Sequence, residues 1–175
     1  RDMEKFTLGG GCFWCLDAVY RNVIGVESSI AGYAGGHIPN PTYEQVCTID
    51  TGHAEVLQVE FNPSVISSAK ILDIFFTLHD PTQLNRQGAD VGSQYRSSMM
   101  YENEGQKLLF EEALERSKEI WGDNIVTEIV PLDVFYEAEG YHQDYFAKNP
   151  GQGYCIAVVS PKLAKVRSSF SELMR

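Results

Sequence analysis

Apolar positions along the chain change period several times, and each change marks an element. Glu4 to Leu8 reads as a short strand running into Gly9-Gly10-Gly11. From Cys12 the period lengthens. Cys12, Leu16, Val19 and Val23 form one stripe of an amphipathic helix, which Gly25 can stop in a left-handed conformation. Val26 to Tyr33 is a second strand. The stretch AGGHIPNPTYEQ reads as a loop, because Gly35, Gly36, Pro39 and Pro41 oppose regular structure. VLQVEFNP puts Leu57, Val59 and Phe61 on one strand face, closed by Pro63. Ser67 or Ser68 can cap a helix through Leu78 with Ile71, Leu72, Phe75 and Leu78 inward, and Asp80-Pro81 ends it. PTQLNRQGADVGSQY reads as irregular and leads to a strand near Ser97 to Tyr101. Asn103 caps a helix over Glu104 to Trp121 with Gly122 behind it, and Ile125 to Val130 is a strand. A last helix has Ser160 as cap, Pro161 at its first position and Leu163, Val166, Phe170 and Leu173 as its buried stripe.

Interleaved helices and strands with no repeat predict an α/β or α+β chain. Its 175 residues suffice for a single catalytic domain, 1–175, with a core from about 4 to 155 and a helical segment over 156–175. Apolar residues at 43% and charged residues at 22% are ordinary for a globular protein. A net charge of −10 argues against nucleic acid or an anionic membrane as partner. No apolar run approaches the roughly 20 residues of a membrane span. The expected location is a reducing compartment, cytoplasmic or organellar, since a leader could have been removed. A chain this long needs no disulfide staples, so Cys12, Cys15, Cys47 and Cys155 read as thiols.

The chemistry concentrates in TLGGGCFWCLDAV, Thr7 to Val19. Cys12 follows a strand and a glycine run and opens a helix, where unpaired N–H groups and the positive dipole end favour thiolate, the nucleophilic form. Most free cysteines are small buried hydrophobes, but the strand–glycine–cysteine–helix order favours a functional thiol. Three chemistries compete. Zinc needs four ligands, and beyond Cys12 and Cys15 no closely spaced Cys or His pair exists. A thioredoxin-like dithiol carrier also uses Cys-x-x-Cys between strand and helix, although Phe13-Trp14 crowds the site against a partner disulfide. A single-thiol enzyme would use those aromatics as a substrate pocket.

GGCFWC at Gly10 to Cys15 resembles the active-site motif of the peptide methionine sulfoxide reductase A family. TGHAEVLQVEF, HDPTQLNRQGADVGSQYRS and YHQDYFAKNPGQGYC resemble further motifs of that family, in its order, from about Phe6 to Cys155. The resemblance implies a two-layer α/β fold with a mixed sheet, related to the ferredoxin-like folds. It implies reduction of methionine-S-sulfoxide, free or in proteins, with thioredoxin as reductant and no metal or organic cofactor. By position, Cys12 is the nucleophile, while Phe13 and Trp14 cradle the substrate methyl. Glu55, Tyr43 and Tyr95 surround the sulfoxide oxygen, Asp90 and Tyr145 shape the pocket, and Cys155 is the resolving cysteine. Many members carry Gly where this chain has Cys15, and none of its cysteines follows Cys155.

The residues suit that chemistry. Aromatics accept a methyl group, tyrosine hydroxyls donate to oxygen, and a carboxyl beside an apolar pocket keeps its proton near neutral pH. A Cys12 sulfenic acid would then condense with a second thiol. Taken alone, Glu55 reads as a solvated strand residue, Asp90 as a turn former, and Tyr43, Tyr95 and Tyr145 as packing residues. His53, His79 and His142 are assigned structural roles, and Cys47 is read as a strand residue. Cys155 is expected to resolve Cys12, with Cys15 the alternative. Helical residues three apart hold their Cβ atoms roughly 5–6 Å apart, wider than the about 3.8 Å of a disulfide. KNPGQGYC is expected to stay irregular and mobile enough to carry Cys155 inward.

Overall fold

In the computed structural model, which describes residues 2–175, the periodic segments of the sequence become a curled mixed sheet packed with helices. The strands are β1 (Glu4–Gly9), β2 (Val26–Ala34), β3 (Ala54–Phe61), β4 (Arg86–Gln87), β5 (Asp90–Val91), β6 (Ser98–Tyr101), β7 (Glu128–Pro131) and β8 (Phe135–Glu137). The α-helices are α1 (Phe13–Tyr20), α2 (Tyr43–Thr48), α3 (Ser68–Leu78), α4 (Glu104–Trp121), α5 (Tyr145–Lys148) and α6 (Ser160–Ser169). Six strands are ordered β7-β6-β1-β3-β2-β8, and β4 pairs with β5 apart from them. Within the sheet only the β6–β7 pairing is parallel. No helix among the described residues is long and apolar enough to cross a membrane.

Strand alternation decides which face each residue takes. On β3, Leu57, Val59 and Phe61 join Phe6, Leu8 and the apolar stripes of α1 and α3 in the main core. Ala54 and Val56 face the other way, into a small cluster with Ala34 and Met100. Glu55 shares parity with Leu57, so the strand turns its carboxyl towards the main core, and it is only 1% exposed. That is why a residue that reads as solvated in sequence is buried in the fold.

Several boundaries differ from the sequence expectation, each for a local reason. α1 begins at Phe13, with Cys12 standing outside it as the N-cap in extended conformation. It ends at Tyr20, and Val23 instead forms a bridge to Met174. The expected loop over 34–45 gives way to α2, because Thr42 and Gln45 form a reciprocal capping box. Cys47 therefore lies on a helix and is exposed, not on a strand. The irregular stretch after Pro81 contains the β4–β5 hairpin, and β7 starts at Glu128 rather than Ile125. β8 has no counterpart among the expected elements.

The expectation of an irregular, mobile KNPGQGYC segment is also corrected. Tyr154 is already helical, Cys155–Val159 forms a π-helical turn, and that turn runs straight into α6. Ser160 thus lies inside a helical run instead of capping it, and Phe170 and Leu173 lie beyond α6. Gly153 lowers helix propensity without forbidding the first turn. By contrast, Ser67 caps α3 through Lys70 N–H, Asn103 caps α4 through Gln106 N–H, and Gly122 ends α4 at φ 75°.

Candidate active site

Glycine geometry brings the nucleophile loop into place. Gly11 has φ 89°, a region open chiefly to glycine, and its N–H donates to the Tyr95 carbonyl at 3.2 Å. A Cβ on Gly10 would sit 3.0 Å from the His79 ring. The chain therefore crosses tightly between the Tyr95 turn and buried His79 and delivers Cys12 to the head of α1. Cys12 is 9% exposed.

Glu55 reaches the same helix end from β3. Its Oε1 accepts the Phe13 N–H at 3.1 Å, one of the donors that a helix start leaves without an intrahelical partner. Burial pushes the Glu55 pKa up to about 8; the Phe13 hydrogen bond opposes this, and the charges of Asp90 and Cys15 add to it. At neutral pH the carboxyl keeps its proton. Burial, followed by the Glu55 charge, raises the phenols of Tyr43 and Tyr95, so both remain O–H donors.

An aromatic wall adjoins this group. Trp14 stacks on Tyr145 with ring centroids 3.7 Å apart and planes 3° from parallel. Its indole Nε1 donates to His142 Nδ1 at 2.9 Å. The His142 ring also packs on Phe13 at 4.9 Å and edge-on to Tyr43 at 4.4 Å. Phe13 is wholly buried, with Tyr33 on another side at 5.6 Å. Asp17 of α1 accepts the Asp144 backbone N–H at 2.8 Å, and Gln143 hydrogen-bonds Ala31 in both directions. These bonds tie the segment that carries His142 and Tyr145 to α1 and β2.

A third group lies on the α6 side. A cavity of about 250 Å³ is lined by Cys12, Gln87, Asp90, Tyr154 and Lys162 with their neighbours. Tyr154 Oη donates to Asp90 Oδ2 at 2.5 Å and lies 4.0 Å from Cys15 Sγ. Cys15 N–H donates to the Cys12 carbonyl at 3.0 Å. Burial pushes the Cys12 pKa well up, reinforced by Cys15 and Glu55. The neighbouring Cys12 thiol lowers that of Cys15 against its burial, aided by the charge of Lys162. The pair therefore carries one thiolate far more readily than two.

Tyr43, Glu55, Asp90, Tyr95 and Tyr145, separate in sequence, thus gather round the helix start formed by Cys12, Phe13 and Trp14. Cys155 lies in the adjoining core with no exposure, and the charge of Cys15 is felt there. His53 and His79 are structural, as expected: His53 bonds Gly36 N–H and the Ile38 carbonyl, and His79 bonds the Phe75 carbonyl and Ser97. His142, Tyr154 and Lys162 were not assigned to the site from sequence. Their contacts with Trp14 or Cys15, and for Lys162 its place in the cavity beside Cys12, distinguish them, and no spacing rule encodes that.

His142→Phe tests the wall. The substitution keeps a ring in place but leaves the half-buried indole N–H without its partner, at a cost of about 1 kcal/mol. The expected result is a substrate KM raised about tenfold, with the single-turnover rate at saturation little changed. An unaltered KM would remove His142 from the site.

Comparison with known proteins converges on one group. The profile of the family described as "Peptide methionine sulfoxide reductase" matches residues 4–174. The peptide methionine sulfoxide reductase MsrA of Clavibacter michiganensis subsp. michiganensis is 58% identical over 173 residues, covering 99% of each chain. Mxr1 from Saccharomyces cerevisiae in its reduced form superimposes with a TM-score of 0.80 at 38% identity, covering 87% of this chain and 89% of that one. Mxr1 in complex with Trx2 superimposes with a TM-score of 0.56 at 29% identity, covering 82% and 84%.

Proposed function

The chain belongs to the peptide methionine sulfoxide reductase family, and on that premise we propose how its residues carry out the reaction. The enzyme reduces methionine sulfoxide to methionine and is recycled by thioredoxin. The observation that carries the residue assignment is the buried, protonated Glu55 hydrogen-bonded to the backbone directly after Cys12.

Cys12 attacks the sulfoxide sulfur once it has given up the proton that burial holds on it in the free enzyme. Glu55 Oε1 stays occupied by the Phe13 N–H, so the Oε2 hydroxyl gives its proton to the sulfoxide oxygen as negative charge develops there. The Tyr43 and Tyr95 phenols donate further hydrogen bonds to that oxygen. Trp14, backed by Tyr145 and with Phe13 beneath, holds the methyl group against an apolar surface. Asp90 shapes the cavity through Tyr154. Methionine leaves, and the oxygen remains on Cys12 as a sulfenic acid. An intramolecular disulfide involving Cys155 replaces it, and thioredoxin opens that bridge. The S epimer is the substrate form, free or within a protein. The whole chain acts as a single catalytic domain, and its thiols suit a reducing compartment, cytoplasmic or organellar. Its architecture is ferredoxin-like in two layers, an inference supported by the all-antiparallel order β6-β1-β3-β2 and the α1 and α3 crossovers.

The competing reading is a thiol–disulfide carrier using Cys12 and Cys15. One assay separates them. Thioredoxin oxidation that depends on added methionine sulfoxide supports the reductase. Reduction of a protein disulfide without sulfoxide turnover supports the carrier.

A further inference from the structure

We propose that Lys162 is a carboxylate-binding subsite beside Cys12, which favours methionine sulfoxide that carries a negative charge next to the reacting side chain. That charge is the α-carboxylate of a free or C-terminal residue, or the side chain of an adjacent Asp or Glu. The proposal rests on the reading of the chain as a sulfoxide reductase with Cys12 as nucleophile, and it narrows the substrate of that site.

Three observations carry the assignment. First, Lys162 and Cys12 line one cavity, of about 250 Å³. Drug-sized ligands fill about 300–1,000 Å³, so this space suits a single substrate residue and little more. In methionine the carboxyl carbon is only a few bonds from the sulfur. A substrate whose sulfur meets Cys12 therefore has its own carboxylate within reach of the same cavity.

Second, the ammonium is uncommitted. Lys162 stands half-buried on α6, and no described residue gives it a hydrogen bond or an ion pair. The chain carries 24 Asp and Glu against 14 Lys and Arg, yet the one carboxylate lining this cavity, Asp90, takes the Tyr154 hydroxyl at 2.5 Å rather than Lys162. The amide of Gln87, also in the lining, is committed at both ends to the Asp80 backbone.

Third, the rest of the lining is weakly polar: Gly88, Ala89, Val158 and the ring of Tyr154. Such walls screen a charge less than open water does. The Lys162 charge also reaches the reacting end of the cavity. After the larger effect of the Cys12 thiol, and against burial, it lowers the Cys15 pKa. A hydrogen bond to a charged group, discounted for the exposure of the lysine, corresponds to about a tenfold preference.

The test measures product formed in a single turnover of the full-length enzyme, so that recycling plays no part. Two substrate pairs are compared by half-saturating concentration. One is N-acetyl-methionine-S-sulfoxide against its N-methylamide. The other is the blocked dipeptide of methionine-S-sulfoxide with Glu against the same dipeptide with Gln. The wild type should favour the charged member about tenfold, and the ratio should shrink as salt is raised. Lys162→Met should bring the ratio close to one, Lys162→Arg should keep most of it, and Lys162→Glu should invert it. A preference confined to the first pair assigns the α-carboxylate, and one confined to the second assigns the neighbouring side chain; either supports the subsite. A lysine that only tuned Cys15 would shift both members of a pair together and leave their ratio alone. Wild-type ratios close to one in both pairs, or a preference that survives Lys162→Met, would overturn the proposal while leaving the reductase intact. No product from any substrate with the wild type would instead overturn the reductase reading on which it rests.

Discussion

Cys12→Ser is expected to form no detectable methionine, even in a single turnover with every other thiol present. A serine hydroxyl is far less ionised near neutral pH than a thiol, and it is a poorer nucleophile towards sulfur. Nothing else occupies the position at the head of α1 where the aromatic wall and Glu55 meet. Cys15 is held one helical turn away by its backbone bond to Cys12 and faces Tyr154. Loss of a nucleophile costs on the order of 10⁶-fold in the best-studied hydrolases, enough to put the product below detection here. The measurement is methionine released per chain by quenched flow. One equivalent from Cys12→Ser at a wild-type rate would reject Cys12.

Glu55→Gln is expected to slow the first methionine-forming step by about 10²–10³-fold, within the usual range for a general acid. Its amide oxygen can still accept the Phe13 N–H, and its NH₂ can still hydrogen-bond the substrate oxygen. It cannot transfer a proton. Glu55→Ala, which also loses the hydrogen bond, should be slower still. The wild-type rate should fall as pH rises through about 8, where Glu55 ionises, and that descending limb should vanish in Glu55→Gln. In the variant, stability moves opposite to rate. A carboxyl whose folded pKa is about 8 binds its proton more tightly folded than unfolded. Stability therefore declines as pH rises from the unfolded value towards 8. At pH 7 this costs on the order of 3 kcal/mol, and Glu55→Gln removes the cost. The variant should be slower and more stable at once, by stopped-flow and by urea titration. Equal, wild-type-like rates in both variants would return Glu55 to a purely structural role.

How far the sequence carried depended on how local the cause was. Asn103 and Gly122 bracket α4, and the Ser67 cap starts α3, because caps are short-range and each residue type has its own geometry. The nucleophile was legible for the same reason: strand, glycines, cysteine and helix are consecutive. Glu55 was not legible from its own neighbourhood. Its burial depends on strand parity with Leu57 and on α1 lying across β3, which are tertiary facts. His142 escaped because its role is a single hydrogen bond to Trp14, 128 positions away. The boundary of α1 was placed one residue early: Cys12 is its extended N-cap, with the Cys15 N–H on its carbonyl. The KNPGQGYC stretch, 148–155, was misread because proline and glycine mark where a helix rarely continues, yet here they precede one.

The most direct test of the chemistry uses the variant with Cys15→Ser and Cys155→Ser, which keeps Cys12 and exposed Cys47. It is mixed with free methionine sulfoxide and dimedone, and the labelled peptide is identified by mass spectrometry. The expected result is one equivalent of methionine and one dimedone adduct, on Cys12. Methionine released with the adduct on Cys47, or with no adduct at all, would contradict oxygen transfer to Cys12.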